Sequence, residues 1–315
     1  MAHCCPSIVV ELWRGPAVES RHELVASVVD ETGREVVRYG DSGFWTYWRS
    51  SAKPFQARPW VDGGTVDHFA WGDEEIAVMC ASHVGTPQHA ALVRRMLGEI
   101  GLSEADLRCD RDLKARHNCS GNHAGMLAAC VHHGWDVASY QASDHPAQRA
   151  AVASVAEASG ISEAEMPLAV DGCGIVVMAT PVAAAARAYA RLEALAPRVA
   201  AAMRAHPVLV EGEGELDTVV MRCFPGVVSK VGAEGLGCAA LPGGGAVAVK
   251  VLDGGDRAVE PALIALLVRH LGLDEVPAGA EAMAVPVVRN DVGDAVGELR
   301  ACLPESRTGL PMRGR

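Results

Sequence analysis

Apolar positions first alternate with polar ones, then recur every three or four residues, then alternate again, so the chain reads as strands, helices and strands in that order. Ser7-Ile8-Val9-Val10-Glu11-Leu12-Trp13, Leu24 to Val29 and Glu35-Val36-Val37-Arg38-Tyr39 are β-branched runs separated by Gly, Asp and Glu turn signals. No helix-length segment lies between them, which predicts an antiparallel meander. Helical spacing follows over Asp73 to Ser82, Pro87 to Ile100, Asn122 to His133, His145 to Ser159, Met178 to Leu195 and Pro197 to Ala205. Ser103-Glu104-Ala105-Asp106 resembles a capping box. Strands are predicted again over Gly226 to Val231, Ala246 to Leu252 and Ala282 to Val288, with one helix over Arg257 to Leu271. Strands at both ends with helices between them predict an α+β fold. One sheet would be built from both termini, around a helical insert at roughly residues 60–215.

Composition narrows the picture. The 315 residues are 50% hydrophobic and 21% charged, which excludes a disordered chain. A chain of this length buries a sizeable core without needing a metal or disulfide to fold. Aromatics are only 4%, so the core is built mainly from alanine, valine and leucine. With 28 basic and 39 acidic residues the net charge is −11, which argues against nucleic acid or an anionic membrane as partner and favours a small-molecule enzyme. There is no run of 18 apolar residues, and Met1-Ala2-His3-Cys4-Cys5-Pro6 shows no secretory signal. The ten cysteines then read as reduced thiols in a cytoplasmic protein, with a metal pair possible among them.

Three segments carry candidate chemistry. In Ser50-Ser51-Ala52-Lys53-Pro54 a helical turn would put Ser50 and Lys53 on one face. A lysine whose pKa is lowered by burial can take the proton of a serine nucleophile, the Ser-x-x-Lys pattern of penicillin-recognising enzymes; a helix start with a solvated lysine gives the same spacing. In Ala246-Val247-Ala248-Val249-Lys250-Val251, strand alternation puts Lys250 on the face of Ala246 and Ala248. It reads either as a working lysine or as an edge-strand charge that blocks aggregation. The third segment is His117-Asn118-Cys119-Ser120-Gly121-Asn122-His123, where Cys119 and His123, with Cys173 from Asp171-Gly172-Cys173-Gly174, are potential zinc ligands or simply buried thiols beside a capped helix. Ser82 and His83 are adjacent, and such neighbours rarely form a dyad because their side chains diverge. Gly235-Leu236-Gly237 lacks the helix that a dinucleotide site needs.

Seven blocks in order carry a resemblance to the bacterial L-asparaginase II family of the rhizobial thermolabile type. They are Val10-Glu11-Leu12-Trp13-Arg14-Gly15, Arg49 to Gln56, Cys80-Ala81-Ser82-His83, His117 to Gly121, Val170 to Gly174, Lys230 to Gly235 and Lys250 to Gly254. The resemblance implies a fold similar to serine β-lactamases and serine-dependent glutaminases, in a single catalytic unit over 1–315. It implies two Ser-Lys tandems, Ser50 with Lys53 and Ser82 with Lys250, and substrate-site roles for Arg49 and Asp171, with Arg49 expected to meet the substrate α-carboxylate and Asp171 its α-ammonium. It also implies zinc held by two cysteines and a lysine; Cys119 and Cys173 match the cysteines, while Asn122 stands at the lysine's position. The expected reaction is hydrolysis of L-asparagine to L-aspartate and ammonia, with no cofactor required, zinc a further option, and a homodimeric state. The rivals are a glutaminase, a β-lactam or ester hydrolase, and a catalytically silent amino-acid-binding protein.

Overall fold

The computed structural model describes residues 5–305; Cys4 and the other residues of Met1–Cys4, read above for a secretory signal, lie outside the described residues. The strands are β1 (Ile8–Arg14), β2 (Ala17–Val29), β3 (Glu35–Tyr39), β4 (Trp45–Tyr47), β5 (Leu168–Val170), β6 (Val176–Pro181), β7 (Val228–Gly232), β8 (Leu236–Ala240), β9 (Ala246–Val251), β10 (Val287–Arg289) and β11 (Ala295–Cys302). The main sheet runs β10-β11-β1-β2-β9-β8-β7, with β3 also paired to β2, and every pairing in it is antiparallel. β4, β6 and β5 form a second, small sheet. The two ends of the chain interleave: β2 pairs β9 from Leu24↔Val251 to Val29↔Ala246, and β1 pairs β11. The fold is α+β, with the sheet built from both ends as the alternation predicted.

The period-two pattern of β9 divides the core. Ala246 and Ala248 pack with Trp48, Phe55 and Tyr189 on one side of the sheet. Val247, Val249 and Val251 pack with Leu263, Ile264 and Leu267 of the helix Val259–His270 on the other. The helix Val182–Ala190 lies against β2 and β9 on the first side, and its buried Ala184, Ala185, Ala186 and Ala188 permit a close approach to the sheet.

Some elements differ from the expectation. The spacing predicts one helix over Met178 to Leu195, but Met178–Pro181 ends β6 and the helix starts at Val182. The β-branched Val176 and Val177 begin a strand, and Pro181, held at ψ 147, is extended and caps the helix. In the expected strand Ala282 to Val288, Glu281–Ala284 is a helical turn made of good helix formers, and pairing begins at Val287, after Pro286. Strands β8 and β11 went unforeseen. In β8 the small residues that hide a strand pattern are there for packing: a Cβ on Gly237 would lie 2.9 Å from Val259 Cγ1 of the covering helix.

Helices Asp73–Met79 and Ser120–His133 cross closely, because Gly121 rides on the Val78 carbonyl and Gly125 on the Met79 side chain. This contact sets Cys119 beside the segment Cys80-Ala81-Ser82. Gly121→Ala would force backbone apart and is expected to destabilise the protein by about 1–3 kcal/mol. Gly98, on the exposed face of helix Pro87–Glu99, has open space where an alanine methyl would sit, with nothing within 4 Å, and Gly98→Ala should stabilise by about 0.5–1 kcal/mol. Chemical denaturation of both variants checks the pair; equal effects would refute the packing argument.

Candidate active site

The site begins at a strained turn. Arg49 adopts φ 49, a left-handed conformation that costs about 1 kcal/mol or more for a residue with a side chain. Residues Arg49–Ala52 form one 3₁₀ turn that runs into the helix Lys53–Asp62, with Pro54 in its first turn. Buried Trp48 pins the turn from below: its Nε1 donates to Thr180 Oγ1 at 2.7 Å and its backbone N–H to the Met178 carbonyl at 2.9 Å. Ser51 Oγ donates to the Lys230 carbonyl at 3.0 Å, and Gly232 of β7 leaves room for the Trp48 carbonyl. Ser50 is half-buried, and among the described residues its hydroxyl has no hydrogen-bond partner.

Lys53 follows one turn later and is 2% exposed. Its Nζ donates to the Ala81 carbonyl at 2.5 Å and lies 3.1 Å from Ser82 Oγ and 3.4 Å from Cys119 Sγ. The serine hydrogen-bonded to Lys53 is therefore Ser82. Lys250 bonds elsewhere: its Nζ donates to the Glu234 carbonyl at 2.5 Å and to the Val251 carbonyl. Strand β9 lies between β2 and β8, so Lys250 is not on a sheet edge, and the aggregation-blocking reading falls. Burial pushes the Lys250 pKa below its ordinary value. His83 turns away from Ser82: its Nε2 faces Ser120 Oγ at 2.9 Å, its ring stacks on His89, and burial pushes its pKa down to about 3.

Arg49 is oriented by Asp171, whose Oδ2 accepts from Nε at 3.0 Å and Oδ1 from Nη2 at 2.9 Å. The Gly172 N–H also donates to Oδ1, at 2.5 Å. Arg49 and Lys250 open onto a cavity of about 400 Å³ whose wall includes Phe44, Trp45, Tyr47, Val170 and Glu234. The aromatic side and Glu234 were missed in the sequence. A signal for the former existed: Phe44-Trp45-Thr46-Tyr47-Trp48 gathers four aromatics in an aromatic-poor chain, directly before Ser50.

The chain matches the family model for L-asparaginase II over residues 10–301. That match places the protein among the amidohydrolases. It belongs to the L-asparaginase II family. No curated protein matches it by sequence. Among solved structures, it is similar to Mglu in its native form, at 15% identity and a TM-score of 0.46, covering 85% of this chain and 69% of that one. A β-lactamase from Mycobacterium bovis matches at 15% identity and a TM-score of 0.36, covering 82% of this chain and 93% of that one. The chain spans 57% to 69% of the length of the Mglu chains it matches. No helix of the described residues is long and apolar enough to cross a membrane.

The zinc that the family resemblance implies can be tested against the residues present. Cys119 and Cys173 are side by side: their mutual hydrogen bond lowers the Cys119 pKa and raises that of Cys173. Asn122 commits its Nδ2 to the Met79 carbonyl at 3.1 Å and leaves Oδ1 buried without a partner. His123, the alternative third ligand, faces Tyr140 through Nδ1 at 2.6 Å, and burial pushes its pKa down to about 4. Among the described residues no three His, Cys, Asp or Glu side chains gather where they could hold a metal. Two thiols beside a lysine amine and a neutral amide do not fit a closed zinc site. Protein purified without added zinc is expected to hold less than one equivalent of metal and to keep its activity through chelation. Metal analysis with activity before and after a chelator checks this; stoichiometric zinc whose removal stops turnover would overturn it.

Proposed function

We propose that the protein hydrolyses the side-chain amide of L-asparagine to L-aspartate and ammonia through an acyl-enzyme on Ser50. The observation that carries this reading is the Arg49–Lys53 turn. It presents a serine hydroxyl without a partner among the described residues, one turn from a buried amine and next to a guanidinium held by Asp171. In the proposed sequence, Lys53 as free amine takes the Ser50 proton while Ser50 Oγ bonds to the amide carbon, giving a tetrahedral oxyanion. As the C–N bond breaks, Lys53 returns the proton to the departing nitrogen, relayed by Ser82, which is 3.1 Å from its Nζ. Water then attacks the ester, a lysine amine takes its proton, and the serine regains its own as aspartate leaves. The free Nη1 of Arg49 meets the substrate α-carboxylate, and Asp171 acts by holding that guanidinium in place.

Asparagine and glutamine differ by one methylene, worth only about 1–3 kcal/mol in a pocket. Ammonia release from each, by wild type and Ser50→Ala, is therefore the first measurement. Asparagine is expected to be the better substrate, and Ser50→Ala to lose at least about a thousandfold in kcat while folded. Appreciable turnover in the variant would sink the nucleophile; release from neither amide would leave the silent binding protein.

Lys250 generates a pH dependence. Its folded pKa lies below the ordinary 10.5. Between the two values the unfolded chain binds the proton more tightly, so stability should rise with pH across that interval. Activity is expected to rise over the same range as the amine loses its proton. Lys250→Met should flatten both rises and lower kcat by about 100-fold. A variant with the wild-type pH-rate profile would remove Lys250 from the chemistry.

A further inference from the structure

We propose that Glu234 anchors the α-ammonium group of the substrate and so restricts the site to free α-amino acids. The inference rests on the asparagine reading for the zwitterionic nature of the ligand. Glu234 lines the same cavity as Arg49 and Lys250, and its negative charge favours the protonated form of both. Yet among the described residues its carboxylate has no hydrogen-bond or ion-pair partner. The nearby Asp171 carboxylate and the Lys250 N–H groups already have protein partners. Asp171 spends both oxygens on Arg49, and one also on the Gly172 N–H. Lys250 donates to two backbone carbonyls. Glu234 is exposed, so its carboxylate reaches the cavity from the solvent side, and among the described residues no protein group occupies it.

The backbone holds that anion deliberately. Glu234 has φ 66, in a hairpin where neighbouring Gly235, at φ 73, adopts such a conformation freely. Strain of this kind persists only where the surroundings enforce it, and it collects at functional sites. The surroundings are visible: Gly235 N–H donates to Asp256 Oδ1 at 2.8 Å, Val251 N–H donates to the Gly235 carbonyl at 2.8 Å, and Lys250 holds the Glu234 carbonyl. Gly254 leaves the carboxylate its space, since a Cβ there would lie 2.6 Å from Glu234 Oε2. Phe44, Trp45 and Tyr47 line the same cavity and give it an apolar side. A ligand with its carboxylate on Arg49, its ammonium on Glu234 and its amide arm towards Ser50 is attached at three points, which selects one hand at the α-carbon.

L-Aspartate and succinate differ by the α-ammonium alone, so their binding to wild type, Glu234→Gln and Glu234→Asp, measured by calorimetry, isolates the anchor. Wild type is expected to bind L-aspartate about 10- to 100-fold more tightly than succinate, the range of one hydrogen bond to a charged group. Glu234→Gln keeps the backbone bond to Lys250 and should erase that preference without weakening succinate; Glu234→Asp should restore part of it. In turnover, Glu234→Gln should raise KM for asparagine by the same factor and leave KM for succinamate unaffected, while the alkaline rise in kcat for both amides moves to lower pH because Lys250 loses its anionic neighbour. Equal preference in wild type and Glu234→Gln, or no preference in wild type, would overturn the anchor. If wild type released no ammonia while the preference still followed the carboxylate, the hydrolytic reading would fall and the anchor would stand.

Discussion

An amine taken out of water must find its hydrogen bonds inside the protein, and meeting that demand at Lys53 organises the centre of the molecule. A buried N–H left without an acceptor costs about 1–3 kcal/mol. Lys53 recovers this from segments remote in sequence: the Ala81 carbonyl and Ser82 hydroxyl just beyond the helix Asp73–Met79, and the Cys119 thiol at the start of the helix Ser120–His133. Carbonyls just past the end of a helix have no partner within it and are available to accept from such an amine. The close helix crossing at Gly121 and Gly125 is what lets the two helix ends meet around one nitrogen. Packing and polar satisfaction here are one requirement.

A second buried charge steadies the other side of the catalytic turn. Lys230 and Asp217 form an ion pair in which both side chains are 0% exposed. Asp217 also accepts from Ser229 Oγ at 2.8 Å and the Val231 N–H at 3.0 Å, so it fastens strand β7 to the helix Leu216–Cys223. Losing either partner would leave an uncompensated charge in the core. Burial next to this pair also pushes the Glu211 carboxyl up to about 8. Because Lys230 gives its carbonyl to Ser51 and Gly232 makes room for Trp48, the ion pair holds the floor on which Ser50 sits.

The cavity, by contrast, is an arrangement of charges that each strand end delivers separately. Arg49 comes from the strained turn, Lys250 from the centre of the sheet, Glu234 from the β7–β8 hairpin and the aromatic wall from β4 and the residues before it. Their convergence follows from the pairing of N-terminal β2 with C-terminal β9, which brings the two halves of the chain to one place.

Much of this was legible in the residues. Alternation identified the β1–β3 meander and the inward face of Lys250, and helical spacing identified most of the central helices, because period two and period 3.6 say which face of an element is apolar. The short distance from Ser50 to Lys53 along the chain likewise implied their placement one turn apart. What pattern cannot specify is the partner across space. That Lys53 bonds Ser82, that Lys250 bonds the Glu234 backbone, and that Glu234 and Arg49 line one cavity depend on how segments far apart cross. The same reason explains Met178–Pro181, helical by its neighbours but drawn into β6 by pairing with β4 and β5, and β8, whose glycines and alanines carry no alternation and become a strand because a helix lies directly above them. Local sequence decides what each segment can be; the hydrogen bonds and close contacts that only the assembled chain supplies decide what it does.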